Sequence, residues 1–257
     1  MTWYKTISFR TILENVVKWI RQFAREKLNV QNPDLPYYIT IGVAAVLFGL
    51  ALNGFIELTE EVAENELGAF DRSITDFIIS FRSTALTGFF SAITRLGERI
   101  PYIVISVLLA SVLYWRYRSL AMILQSVAVL ILASLSNIAL KQSISRARPD
   151  VEHLVYVDSM SYPSGHSMSA MAFYGFLIYL CLKLAMPGWA RVMLVTVLVF
   201  IIAAVGISRV YLGVHFPSDV AAGFIGGLIW VSLCIVIFNL IFLLRRKKTG
   251  VENVDDL

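Results

Sequence analysis

The sequence predicts an all-α protein that crosses a membrane six times, on two observations. Of its 257 residues, 58% are hydrophobic and 16% are charged, where a soluble domain carries roughly 45–50% and about 25%. With a mean hydropathy of +0.72, the chain has more apolar surface than one compact core can hide, and the excess must face lipid. Six stretches then approach the ~20 apolar residues that one helical span requires. Gly 15, Pro 7 and Cys 2 exclude a collagen-like chain, a disordered chain and a disulfide scaffold.

The first 36 residues read as a cytoplasmic amphipathic segment. Phe9, Ile12, Leu13, Val16, Ile20 and Phe23 recur at helical spacing, and Arg10, Lys18, Arg21, Arg25 and Lys27 supply positive charge. That is the pattern of a helix lying on an anionic leaflet, without the continuous apolar run of a signal peptide. The six spans fall near residues 37–56, 100–115, 119–140, 167–182, 192–208 and 220–244. Three of them are short, and Lys183 and Arg209 are expected to carry their charged heads to the interface. The body of the protein is thus 37–244, and 245–257 is a second cytoplasmic tail.

Between the first two spans lies a long insertion. Phe70, Ile74, Phe77, Ile78 and Phe81, then Leu86, Phe89, Phe90, Ile93 and Leu96, each follow a helical period and predict two amphipathic helices on the outer face. The acidic run Glu57, Glu60, Glu61, Glu64 and Glu66 reads as a solvated face. Cys181 and Cys234 sit in apolar runs with no metal or redox spacing and read as buried thiols. Gly223 and Gly227 form a small-xxx-small pair suited to close helix packing. If both termini are inside, inner segments hold 14 of the 22 Lys and Arg. This bias favours cytoplasmic termini in an integral plasma membrane protein. The net charge of +4 gives no reason to invoke nucleic acid.

Ionisable residues beside membrane spans are costly and need a reason. Three clusters supply one. Lys141 is followed after six residues by Arg148-Pro149, at the end of the third span. Pro163-Ser164-Gly165-His166 precedes the fourth. Ser208-Arg209, His215 and Asp219 lie between the fifth and sixth. Six spans put all three clusters on one side, where they can converge. Lys141, Arg148 and Arg209 suit phosphate oxygens, and on a continuing helix Lys141 and Arg148 would share a face. Gly165 would let backbone approach an anion at the start of a helix. Asp219, four residues after His215, can fix its tautomer so that the other ring nitrogen attacks phosphorus, and His166 can protonate the leaving oxygen. His153 reads as a solvated loop residue.

The patterns K-x6-RP, PSGH and SR-x5-H-x3-D, matched at every defined position, resemble the signature motifs of the type 2 phosphatidic acid phosphatase superfamily of membrane lipid phosphatases. The resemblance implies metal-independent, cofactor-free hydrolysis of a phosphate monoester or diphosphate through a phosphohistidine on His215, with Asp219 orienting it and His166 as general acid. Lys141, Arg148, Ser164, Gly165 and Arg209 would hold the phosphate. The substrate expected is a phosphorylated lipid of the bilayer, of the undecaprenyl diphosphate, phosphatidylglycerophosphate, phosphatidic acid or lipid A type. The compact chain looks bacterial. A phosphotransferase using the same histidine and a non-catalytic phospholipid-binding or transport protein are the competing readings. Two histidines beside the cations favour catalysis over recognition alone.

Overall fold

A computed structural model describes Lys18 and residues 28–117 and 120–249. Apart from Lys18, the segment up to residue 27 lies outside the described residues, and with it most of the expected N-terminal amphipathic helix; so do residues 250–257 of the tail. The described residues form helices joined by loops, with no strand among them: α1 (Leu35–Ala63), α2 (Gly68–Ile79), α3 (Thr84–Thr94, continued by a 3₁₀ turn at Arg95–Gly97), α4 (Arg99–Tyr117), α5 (Ala121–Ser143), α6 (Gly165–Lys183), α7 (Gly188–Tyr211) and α8 (Pro217–Thr249). Six of these, α1 and α4 to α8, are long and apolar enough to cross a membrane. Five of them contain one expected span each, and α5 covers the third from Ala121 onward. Lipid offers a backbone no hydrogen-bond partners, so the helix extends until a cap or water ends it. α1 therefore runs on through Glu57, Glu60 and Glu61.

The chain divides into two compact units. One holds the described residues up to Ala44 together with those from Ile235 onward. In it Tyr37 stacks on Phe242 at 4.6 Å between centroids, and Arg246 pairs with Asp34 at 2.7 Å. The other, from Ala45 to Cys234, contains all three motifs. α6 is its central helix, with half of its most apolar window buried, and it packs against α5 and α7. A Cβ on Gly223 would stand 2.6 Å from the Ser164 carbonyl oxygen, and one on Gly227 2.6 Å from that of Met168. The small-residue pair thus lets α8 meet α6 backbone to backbone.

The insertion forms two amphipathic helices, as expected. Phe70 and Phe77 of α2 are more than half exposed, as is Phe81 just beyond it, while Asp71 and Thr75 are buried. The hairpin of α2 and α3 is tied to the end of α7. Arg82 donates to the Tyr211 carbonyl at 3.1 Å, the Ser83 amide donates to the Tyr211 hydroxyl at 3.1 Å, and Phe90 packs on the Tyr211 ring. Cys234 is buried as expected, whereas Cys181 is only half-buried. Arg209 does not reach for an interface, because its side chain turns inward and is 4% exposed.

Candidate active site

Local backbone rules put the third motif in place. α7 ends in a Schellman turn, in which the Gly213 amide donates to Val210 O at 2.9 Å and the Val214 amide to Arg209 O at 3.1 Å. Gly213 has φ +78°, a left-handed conformation that glycine adopts without Cβ strain. The turn folds the chain back until the His215 amide also reaches Arg209 O, at 3.3 Å. α8 then opens with Pro217 as its first residue. Asp219 occupies the third helical position and its Oδ2 accepts from the Phe216 amide at 2.8 Å, the back-bond of a capping box. The four-residue step from His215 to Asp219 is therefore the geometry of a helix start. It leaves His215 Nδ1 3.4 Å from Asp219 Oδ2.

The second motif docks on the third. The Ser164 amide donates to the backbone oxygen of Asp219 at 2.9 Å. The Ser164 hydroxyl caps α6, accepting from the Ser167 hydroxyl at 3.0 Å and from the Ser167 amide at 3.5 Å. Gly165 is required by packing: a Cβ there would stand 2.9 Å from Asn137 Oδ1, and that amide in turn donates to Pro163 O at 3.2 Å. Two turn-forming residues of this motif thus have structural partners already.

The first motif does not continue as a helix. α5 ends at Ser143, so Lys141 stands in its last turn while Arg148 comes from the loop, and the shared helical face expected for them is absent. Lys141 Nζ donates to Met160 O and reaches Ser161 O at 3.4 Å. Arg148 donates to Ser159 O at 2.8 Å and to Val214 O, and its NH1 lies 3.4 Å from His215 Nε2. With Nδ1 turned to Asp219 and Nε2 to Arg148, the arrangement suits the tautomer with the proton on Nδ1 and the lone pair on Nε2.

The motifs converge electrostatically. Arg209, His215, Lys141 and Arg148 all act on His166, and Arg209 and Arg148 act on His215. His215 is 3% exposed, and burial pushes its pKa down to about 4 against the opposing pull of Asp219. Burial likewise lowers the pKa of Arg148 and pushes the Tyr162 hydroxyl, bonded to Thr59 at 2.8 Å, up to about 12. Arg209 NH1 donates to Thr94 Oγ1 at 2.7 Å, while its buried Nε has no hydrogen-bond partner among the described residues. His153, by contrast, bonds Pro149 O at 3.0 Å in the loop.

Five residues escaped the motif reading. Arg146 donates to Asp219 Oδ1 at 2.7 Å and Asp71 Oδ2 at 2.6 Å. Ser161 donates to Asp219 Oδ2 and stands 3.3 Å from His215 Nδ1. Thr94 and Gly97, at the end of the insertion, meet Arg209 and His166. The available signal was an acid and a threonine one turn apart, Asp71 and Thr75, on the face of α2 opposite its phenylalanines.

Alongside the site runs an apolar groove of about 1160 Å³ between α4 and α5, lined by Tyr102, Ile103, Val107, Val127, Leu130 and Ile131, among others, with Gly165 and His166 also in its wall.

Residues 122–242 match the model of the PAP2 superfamily. Phosphatidylglycerophosphatase B of Bacillus subtilis is 34% identical over 176 residues, covering 68% of this chain and 86% of that protein. A solved structure of a transmembrane PAP2-type phosphatidylglycerolphosphate phosphatase from Bacillus subtilis superposes with a TM-score of 0.68 at 31% identity, covering 77% of this chain and 96% of that one. A lipid A 1-phosphatase of Rhizobium johnstonii is 36% identical over 104 residues, 37% of this chain and 38% of that protein.

Proposed function

From the premise that the chain belongs to the PAP2 superfamily and is an integral membrane lipid phosphatase, we propose that it hydrolyses the phosphate of a membrane lipid through a phosphohistidine on His215. The observation that carries this reading is the apolar groove between α4 and α5 with His166 in its wall. Acyl chains lying in it bring an ester phosphate to the membrane edge of the site without leaving lipid. Lys141, Arg148 and Arg209 hold the phosphate oxygens and offset the charge that grows as the phosphoryl group transfers. The unpartnered Nε of Arg209 is a donor suited to such an oxygen.

In the first step the Nε2 lone pair of His215 forms the N–P bond as the bond from phosphorus to the leaving oxygen breaks, and His166 gives that oxygen a proton. The Nδ1 proton stays on the ring, held by Asp219, which stabilises the imidazolium. In the second step His166 takes a proton from water, whose oxygen attacks phosphorus and releases phosphate and neutral His215. Three side-chain cations do the electrostatic work that a metal performs in other phosphatases.

Phosphatidylglycerophosphate is the first substrate to test, because the relative named for it aligns over most of its own length. Both termini lie in the cytoplasm and the site opens to the outer side, a reading supported by the Lys and Arg bias. Purified protein should release inorganic phosphate from phosphatidylglycerophosphate in detergent micelles, faster than from phosphatidic acid, undecaprenyl diphosphate or lipid A, with a strong chelator present. Vanadate should inhibit. Transfer of the phosphate to another lipid in place of its release, or loss of activity with chelator that magnesium restores, would contradict the proposal.

A further inference from the structure

We propose that Arg146, clamped between Asp71 and Asp219, is a positioning residue that sets both the orientation and the proton affinity of His215, and that Asp71 is its anchor. The inference rests on His215 as the nucleophile of the proposed function.

Asp71 and Asp219 are both 0% exposed. Buried carboxylates need compensating charge and hydrogen bonds, and these two share one guanidinium. NH1 of Arg146 holds Asp219 Oδ1 at 2.7 Å and NH2 holds Asp71 Oδ2 at 2.6 Å. The Phe216 ring covers the guanidinium, 4.5 Å from centroid to Cζ. Burial works against the charge on Arg146, but Asp219 and Asp71 outweigh it and hold its pKa above the ordinary guanidinium value. Asp71 is fixed in turn from the first turn of α8, accepting from the Ser218 amide at 3.0 Å and the Ser218 hydroxyl at 2.5 Å. The Ser218 hydroxyl also accepts from Arg146 NH1 at 2.7 Å. A planar fork seated on two fixed carboxylates has one orientation, which a lysine cannot reproduce.

The consequence reaches His215 through Asp219. Arg146 engages Oδ1, while Oδ2 is left to the Ser161 hydroxyl, the Phe216 amide and His215 Nδ1. The carboxylate is thereby held edge-on to the imidazole, and part of its negative charge is engaged by Arg146. The charged and titratable groups facing His215 are Asp219 from α8, Arg148 from the loop after α5, Arg209 from α7 and His166 from α6; Lys141 acts on Asp219 from α5. Among the described residues, none of these cations hydrogen-bonds the Asp219 carboxylate that faces the ring, whereas Arg146 does, at 2.7 Å. Removing it leaves Asp219 more basic and raises the proton affinity of His215. Neutralising Asp71 turns the whole charge of Arg146 on Asp219 and lowers it.

The test uses full-length Arg146→Gln, Arg146→Lys and Asp71→Asn in detergent micelles with dioleoyl phosphatidic acid. It reads kcat, KM and the acid limb of kcat/KM, and follows the ring signals of the three histidines by NMR after ¹³C-histidine labelling. Arg146→Gln should lower kcat by about 10²-fold, as expected for a misplaced reacting group, with KM changed far less. It should also move the acid limb and the His215 ring titration up by about one pH unit. Arg146→Lys should return the limb but not kcat. Asp71→Asn should move the titration the other way, and these two variants carry the test if the glutamine variant fails to fold. A kcat loss with the limb and the ring titration unmoved in every variant would reduce Arg146 to packing and overturn the proposal. The ring titration does not depend on who attacks phosphorus. If His215→Ala retained its phosphoenzyme, the proposed function would fall while the coupling could still be read.

Discussion

The two halves of the site follow opposite rules. Around His215 the polar atoms are committed: Asp219 accepts from Arg146, Ser161 and the Phe216 amide and faces Nδ1, while Arg148 faces Nε2. Around His166 they are not. The Arg209 side chain, 4% exposed, donates to Thr94 and among the described residues keeps a buried Nε without a partner, and His166 packs its ring edge against a glycine. The nucleophile of the proposed function is thus held in place before any substrate arrives, as electrostatic catalysis demands. The anion half keeps a buried donor without a partner among the described residues, which the phosphate of the proposed reaction would engage.

The largest effect should come from breaking the committed half at its centre. His215→Ala should abolish turnover and any acid-labile phosphoenzyme, checked by trapping labelled phosphate from substrate. Across the site, His166→Ala should cost about 10² to 10⁴-fold, the worth of a positioned general acid. The loss should be smaller with p-nitrophenyl phosphate, whose leaving group needs no proton. Equal losses on both substrates would erase the distinction between the halves.

Stability sharpens it further. Arg209→Met should lower kcat/KM by about 10² to 10³-fold, as for loss of an oxyanion donor, yet leave the melting temperature of the free protein unchanged or higher, because a buried unpaired donor disappears. It should also lose thermal stabilisation by vanadate. Asp219→Ala leaves Arg146 paired with Asp71 but takes the acceptor from Ser161 and the Phe216 amide, and should destabilise by about 1–3 kcal/mol, the cost of leaving buried donors unsatisfied. Thermal unfolding of the two variants side by side, with and without vanadate, distinguishes them. The committed half also sets the pH response. His215 titrates near 4 when folded and about 6.5 when unfolded. The unfolded chain thus binds more protons between those values, and this group's contribution to stability, full above about 6.5, is lost as pH falls toward 4. The acid limb of kcat/KM for the free enzyme should lie well below 6.5.

What was legible follows the same division. The spans are readable because lipid makes hydropathy decisive over ~20 residues, and the motif residues because three polar clusters with defined spacings fall at span ends that six spans place on one side. Arg146 was not, since it sits among the unspecified residues between Lys141 and Arg148 and its partner Asp71 is 75 positions away in sequence. Asp71 is hidden for another reason. Helical periodicity marks Phe70 and Phe77 as one side of α2 but not which side turns inward, and the helix exposes them and buries Asp71 and Thr75, as a helix does when apolar surroundings lie outside and a polar site inside. Arg209, expected at the interface, turns inward for a related reason: hydropathy gives the depth of a residue in a span but not which way it faces.

The smallest predicted effect tests the looser half most finely. Gly97 ends the 3₁₀ turn after α3, and a Cβ there would stand 2.8 Å from Cδ2 of His166 and 2.9 Å from Cγ1 of Val205. Both contacts are closer than packed carbon atoms tolerate. Val205 is fully buried on α7 and has little room to move, so Gly97→Ala should displace the imidazole. His166 sits in the second position of α6 and can shift by a rotamer change without disturbing the Ser164 cap or the bonds to Asp219. The variant should therefore fold normally and still form the phosphoenzyme with p-nitrophenyl phosphate at close to the parent rate. Turnover of lipid phosphate, which needs the acid aligned, should fall by about tenfold, within the 10²-fold seen when a catalytic group is displaced by ~1 Å. Equal losses on both substrates would mean that Gly97 supports the whole site, and that the two halves are less independent than their hydrogen bonding indicates.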